Sequence, residues 1–317
     1  MKLLKVISPG PRTTVQDAGR RHYQKHGLAQ AGPADRVAFL WANKLLDNPL
    51  GAACLEITLG GLEVEALAGL TIALTGADAQ PRVNGRPVSN WHTLHLSAGD
   101  RLSLTTASCG RYSYLAVGGG FRSPVLFGSQ SVVVREQFDA LQPLQAGDEL
   151  AGSDRGYSPD RVVPASAQPD YGLHLPLRLI AGYQYEQFSR ADLTRLLTSD
   201  YRISAQSDRM GYKLEGAALQ TPPPGIVSEG IALGSVQVPG DGVPIVLLQD
   251  RQTVGGYPKL GTVCAIDCYR LAQRQPGQTV RFELTDLATA QNERALLERQ
   301  FRQTTWTPAG DELRWSD

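Results

Sequence analysis

The sequence lacks most features that mark a specialised class. Its 31 Lys and Arg are matched by 31 Asp and Glu, so no net charge remains at neutral pH. There is no basic excess to neutralise phosphates, and no nucleic-acid partner is expected. No apolar run approaches the ~20 residues that span a bilayer, and no membrane partner is expected either. The first residues, Met1-Lys2-Leu3-Leu4-Lys5, run straight into Pro9-Gly10-Pro11 without the apolar core of a secretory signal, so the expected location is cytoplasmic. Cysteine is scarce, with 4 residues in 317, which speaks against a disulfide framework. Cys264 and Cys268 could form half of a zinc site, but no second Cys/His pair with ligand spacing follows, so no metal is expected.

Familiar catalytic motifs are missing as well. The dipeptide Gly-Lys never occurs, which removes the standard P-loop. No Gly-x-Ser-x-Gly elbow is present. Gly118-Gly119-Gly120-Phe121-Arg122-Ser123 carries Ser in place of the third glycine of a dinucleotide fingerprint, and a tight turn is expected there. The only two methionines, Met1 and Met210, do not form a biotin attachment pattern, so no covalent biotin is expected on this chain.

What the chain does have is turns. With 33 Gly and 20 Pro scattered without period, it reads as short strands between turn signals. Leu62 to Leu67 alternates with period two, and Asn84-Gly85 between Val83 and Arg86 is a strong hairpin signal. Ala98-Gly99-Asp100, Ala146-Gly147-Asp148 and Pro276-Gly277-Gln278 each precede an alternating stretch, which suggests barrels over a doubly wound sheet. Three helices are expected: Pro33 to Asp47, one starting after Ser189, and Thr285 to Arg302. The stretch Ala151 to Tyr171 is polar, Pro-rich and aperiodic, and reads as a linker. The expected organisation is a β-barrel domain over 1–150, a linker over 151–171, a second β-barrel domain over 172–285, and a helix and tail over 286–317.

The densest polar constellation follows the apolar run Val243 to Leu248. That strand delivers Asp250, Arg251, Gln252 and Thr253 to its end, followed by Gly255, Gly256, Tyr257 and Pro258. Arg251 offers a planar fork for a carboxylate or phosphate, and Asp250 can orient it or accept a proton. Gln252 can both donate to and accept from an amide. Gly255-Gly256 permits close backbone approach. This set fits a small anionic amide. A plainer reading stands beside it, in which the Asp-Arg pair ties a loop to the barrel. Two further clusters are Asp208-Arg209 in Ser207-Asp208-Arg209-Met210-Gly211 and Gln237 in Gln237-Val238-Pro239-Gly240. A third is Gln16-Asp17, where Asp17-Ala18-Gly19 is also ordinary turn chemistry. Glu56 and Glu229 could serve as general bases, but the sequence pairs neither with an acid partner.

These stretches, together with Gly32-Pro33-Ala34-Asp35, Ala42-Asn43-Lys44-Leu45-Leu46, Leu55-Glu56, Thr75-Gly76-Ala77-Asp78, Asn84-Gly85-Arg86-Pro87-Val88 and Ser228-Glu229-Gly230, resemble the biotin-dependent carboxyltransferase family, in order, from about residue 5 to about residue 285. That family includes the C subunit of 5-oxoprolinase, the KipI antagonist and the second half of the urea carboxylase carboxyltransferase domain. The resemblance implies a mainly β fold of two cyclophilin-like β-barrel domains with a few helices. It also implies a role as one component in the ATP-dependent opening of 5-oxoproline to glutamate. The partners would be the KipI-like B subunit and the A subunit of 5-oxoprolinase. ATP would be the cofactor of that complex. Transfer of a carboxyl group on biotin carried by another chain, or antagonism of a KipI-like protein, are the alternatives. On this reading Asp250 and Arg251 are the catalytic candidates. Arg209, Gln237, Gln252, Thr253, Gly255, Gly256, Tyr257, Pro258, Asp208, Gln16 and Asp17 are the candidates for binding substrate. The chain departs from the family where Ala31-Gly32-Pro33-Ala34-Asp35 replaces the usual Ser-Gly-Pro-Met-Asp.

Overall fold

The computed structural model describes residues 1–153, 158–220 and 226–308. The stretch Pro222-Pro223-Pro224-Gly225, whose composition predicts a turn, lies outside them, as do residues 154–157 of the expected linker and the end of the tail. The chain is mainly β and divides into two compact units. One is drawn from Met1–Arg20, Ala31–Asp170 and Arg302–Asp317, the other from Arg21–Gln30 and Tyr171–Phe301. No helix among the described residues is long and apolar enough to cross a membrane.

The first unit contains two seven-stranded sheets among the described residues. One is centred on strands Lys2–Pro9 and Leu62–Ala66, the other on Cys109–Val117 and Leu70–Asp78. Leu62–Ala66 has every second residue buried, the period of a half-buried strand. Its Leu62 and Val64 join Leu4, Val6, Ile57, Ile72, Leu102 and Leu115 in one apolar core. The Asn84-Gly85 hairpin forms as expected: Arg82–Val83 pairs with Arg86–Pro87, with φ of 50° at Asn84 and 79° at Gly85. Two positive values are what a tight type I′ turn needs. A turn also forms after Cys109–Val117, where Gly120 N–H donates to the Val117 carbonyl at 2.9 Å.

Helix α1 (Arg36–Leu45) begins at Asp35, whose carboxylate accepts from the backbone N–H groups of Val37 and Ala38. Within the segment expected to be a linker, Arg161–Val162 is a strand that pairs with Thr307–Pro308 and with His92. Arg161 is buried, donates to the Leu45 carbonyl at 2.8 Å, pairs with Asp47 at 2.7 Å and lies 3.9 Å from the Trp306 ring centre. A polar, aperiodic stretch thus contributes an anchor that its composition hides.

The second unit is built on an eight-stranded sheet, again among the described residues. Its end strands are Thr279–Val280 and Phe282–Thr285. Only Arg281 separates them in the chain, so the sheet must curl until its two edges meet. That geometry gives the sheet a nearly closed, barrel-like form. Helix α2 (Arg190–Thr198) starts at Ser189, whose hydroxyl oxygen accepts from Asp192 N–H at 3.1 Å and donates to the Asp192 carboxylate at 2.5 Å. Helix α3 (Ala265–Ala272) was not anticipated from the sequence. Its buried Cys268, Leu271 and Ala272 follow Cys264 at helical spacing, a stripe too short to stand out from the neighbouring strands. Helix α4 (Leu287–Gln303) is tied back by Arg178, which donates from Nε and Nη2 to Asp267 at 2.8 Å each and also pairs with Glu293.

Candidate functional site

The candidate residues of the second unit gather at the ends of three adjacent strands. Ile245–Leu247 lies in the sheet between Gly211–Glu215 and Ser235–Gln237, and Ser235–Gln237 pairs in turn with Lys259–Val263. The apolar residues Val246, Leu247 and Leu248 are buried, as expected for a strand covered on both faces. The chain that leaves this strand carries Asp250, Arg251 and Gln252. The chain that enters the neighbouring strand carries Arg209.

Arg209 and Asp250 form a two-pronged ion pair. Nε of Arg209 donates to Asp250 Oδ2 at 2.8 Å and Nη2 donates to Oδ1 at 2.9 Å. The backbone repeats the link, since Asp250 N–H donates to the Arg209 carbonyl at 2.9 Å. The side chains are only 4% and 9% exposed, so the pair depends on its own geometry for solvation. Asp250 therefore acts on Arg209. Arg251 is turned elsewhere: Nε donates to the Ile231 carbonyl at 3.2 Å, Nη1 to the Leu248 carbonyl at 3.1 Å and Nη2 to Gln30 Oε1 at 3.3 Å. Burial lowers its pKa from the ordinary arginine value, while nearby Cys268 and Asp250 raise it. The sequence suggested a fork open to an anion. The structure shows a buried guanidinium that binds three segments of the same unit together.

Gln237 and Gln252 lie side by side. Nε2 of Gln252 donates to Oε1 of Gln237 at 3.2 Å. The remaining atoms, Nε2 of Gln237 and Oε1 of Gln252, are buried and have no hydrogen-bond partner among the described residues. Gln237 sits beside an irregularity in strand register between Val236 and Gln237, a feature that re-aims a side chain. Gly255 explains the close fit. A Cβ there would lie 2.7 Å from Gln237 Nε2 and 3.2 Å from Ile231 Cδ1, so a larger residue would push the Gln237 amide from its place. Gly255 belongs to a short ribbon in which Glu229–Gly230 pairs with Val254–Gly255.

Lys259 holds the other strand of that ribbon. Its Nζ lies 2.8 Å from Glu229 Oε1 and donates to the Gly230 carbonyl at 3.1 Å. Glu229 thus has a cationic partner that sequence spacing concealed, and Lys259 is a site residue that sequence reasoning missed. The one available signal was its place directly after Tyr257-Pro258. Pro258 is buried and its carbonyl accepts from Val238 N–H at 2.9 Å, whereas Tyr257 is exposed. The Thr253 carbonyl accepts from Ile231 N–H at 3.0 Å. A Cβ on Gly256 would meet Ser228 Oγ at 3.3 Å. Asp208 is exposed and its carboxylate accepts from Met210 N–H at 2.8 Å, which closes a turn.

Gln16 and Asp17 belong to the first unit. The Asp17 carboxylate accepts from Ser129 Oγ at 2.5 Å, Ser131 Oγ at 2.7 Å, Gln130 N–H at 2.7 Å and Gly19 N–H at 2.9 Å. Four donors on one carboxylate fit the turn-chemistry reading of this motif. Gln16 Nε2 donates to Thr14 Oγ1 at 3.0 Å and the Val132 carbonyl at 2.8 Å. Glu56 is buried in the same unit, where its Oε2 accepts from Tyr114 OH at 2.7 Å and Ala34 N–H at 2.8 Å. Burial and the neighbouring Glu56 push the Tyr114 hydroxyl pKa well up, so Tyr114 stays a donor. Glu56 therefore secures the entry to α1.

Taken together, the second unit offers an amide pair with one donor and one acceptor spare, a lysine beside it and a rigid ion-paired support. The chain is 37% identical to the C subunit of 5-oxoprolinase from Escherichia coli over 307 residues, covering 96% of this chain and 98% of that one. It superposes on the solved structure of TTHA0988 with a TM-score of 0.81 and 33% identity, covering 89% of this chain and 55% of that one. The Kluyveromyces lactis urea amidolyase shares the fold, with a TM-score of 0.87 at 22% identity over all of this chain and 21% of that one. This chain thus spans little more than half of one solved relative and about a fifth of the other. The family described as carboxyltransferase domain, subdomain A and B, matches residues 26–284, and the chain belongs to that family.

Proposed function

We propose that the chain is the C subunit of an ATP-dependent 5-oxoprolinase, which opens the lactam of 5-oxoproline to glutamate together with the A and B subunits. The observation that carries this reading is the near end-to-end similarity to the Escherichia coli protein of that name. The chemistry of the second unit supports it. A lactam presents a carbonyl acceptor and an N–H donor, and the Gln237/Gln252 pair presents the complementary donor and acceptor. Lys259, paired with Glu229 and donating to the Gly230 carbonyl, fixes the ribbon that lies against this pair. Arg209 and Asp250, locked by their two short hydrogen bonds, hold the loop that carries Gln252. Arg251 does the same from the other side.

Lactam hydrolysis is slow because the amide is resonance-stabilised. ATP can drive it by converting the lactam oxygen into a phosphate leaving group. We assign nucleotide binding to the assembled complex. A second reading, carboxyl transfer on biotin borne by a partner chain, is favoured by the description of the family itself. The test is reconstitution with the A and B subunits and measurement of ATP- and 5-oxoproline-dependent glutamate release. Discharge of carboxybiotin without glutamate release would favour the second reading.

A further inference from the structure

We infer that Gln237 and Gln252 act as one reader of a cyclic syn amide, an edge on which C=O and N–H project from the same side of a ring. The inference rests on the proposed function only for the identity of the ring. Its structural basis is independent.

The two carboxamides make a single hydrogen bond, Gln252 Nε2 to Gln237 Oε1 at 3.2 Å. A second, reciprocal bond would close the pair on itself, but the geometry leaves it unmade. Gln237 Nε2 and Gln252 Oε1 are both buried and have no partner among the described residues. Gln237 as a whole is 2% exposed. Buried polar atoms without partners are costly and rare, so the open pair calls for a reason. The result does not depend on which way the amides are assigned. Exchanging O and N on both residues reverses the shared bond and again leaves one donor and one acceptor.

A ligand that completes this arrangement must offer an acceptor to Gln237 Nε2 and a donor to Gln252 Oε1. An ordinary trans peptide bond places its C=O and N–H on opposite sides. A lactam ring forces them onto the same side, and so does the ureido ring of biotin. The shared chemistry is therefore the cyclic syn amide, with the lactam carbonyl accepting from Gln237 Nε2 and the ring N–H donating to Gln252 Oε1. The ribbon Glu229–Gly230/Val254–Gly255 covers the pair, with Gly255 directly against it. Entry of a ligand requires that ribbon to lift. Two ladder pairs hold it together, with the Ile231 N–H bond to the Thr253 carbonyl and the Lys259 contacts to Glu229 and Gly230 beside them.

The test is direct binding to the full chain, alone and with its co-purified partners, by isothermal titration and saturation-transfer NMR. The probes are 5-oxoproline, N-methyl-5-oxoproline and free biotin. 5-Oxoproline or biotin should bind, and the N-methyl lactam, which lacks the donor, should bind about tenfold or more weakly than 5-oxoproline if the lactam is the ligand. Gln252→Leu should weaken binding of the recognised ring by a similar factor of about ten. The N-methyl comparison uses the unaltered protein, so it stands even if a variant fails to fold. Binding of biotin alone, lost in Gln252→Leu, keeps the amide reader and removes the 5-oxoprolinase assignment. Binding of neither ring, or equal binding of the N-methyl lactam and 5-oxoproline, overturns the inference whatever the glutamate assay shows.

Discussion

Replacing Asp250 by Ala is the sharpest probe of how the second unit is held together. The substitution removes both oxygens that Arg209 meets at 2.8 and 2.9 Å, in a pair whose side chains are 4% and 9% exposed. The guanidinium is left buried without its carboxylate, and breaking one side of such a pair costs about 3–5 kcal/mol. Replacing both members, Arg209→Met with Asp250→Leu, removes the stranded charge and should cost at least about 2 kcal/mol less than the two single losses summed. Urea unfolding followed by far-ultraviolet circular dichroism measures all three variants. If Asp250→Ala costs under about 1 kcal/mol, or if the double variant is additive, the pair is not the structural clasp described above.

The other predictions concern separate parts of the molecule. Gly255→Ala should place a methyl 2.7 Å from Gln237 Nε2 and lower turnover of the reconstituted complex about tenfold or more, with Tm nearly unchanged. Arg161→Ala should lower the stability of the first unit by about 2 kcal/mol and red-shift Trp306 fluorescence, because it removes the bond to the Leu45 carbonyl and the ring contact. The Ser189 hydroxyl holds the Asp192 carboxyl below the usual carboxylate range. A depressed pKa gives stability that is present at neutral pH and lost as pH falls through the folded value. Ser189→Ala should therefore cost more at pH 7 than near pH 2, where only the loss of the cap bond to Asp192 N–H, about 1 kcal/mol, remains, as read by melts across that range. Burial pushes the Cys54 and Cys268 thiols far up, so native protein treated with a thiol reagent at pH 8 should be modified first at half-buried Cys109.

Local rules made much of the fold legible. Period-two burial in Leu62–Ala66, the Asn84-Gly85 turn and the Asp35 and Ser189 caps are set by neighbours within a few residues. The barrel closure through Arg281 was not legible, because it depends on which strands lie at the sheet's two ends. Helix α3 was hidden by its length, and the Arg161 anchor by partners from distant segments such as Trp306. The site shows the same division. The polar cluster after Leu248 was visible as a motif, but the roles of its members were not. Arg251 meets carbonyls from Ile231 and Leu248 and the side chain of Gln30, and Gln252 meets Gln237. Those partners are brought together by the sheet and cannot be read from spacing. The Glu229–Lys259 pair, 30 positions apart in the numbering, belongs to the same class.

One measurement bears most directly on the function. The chain is reconstituted with the A and B subunits of 5-oxoprolinase, and glutamate is measured with 5-oxoproline and ATP supplied together and each omitted in turn. Glutamate should appear only when both are present and all three proteins are combined. Full assembly with no glutamate release, or undiminished release when this chain is left out, would contradict the assignment.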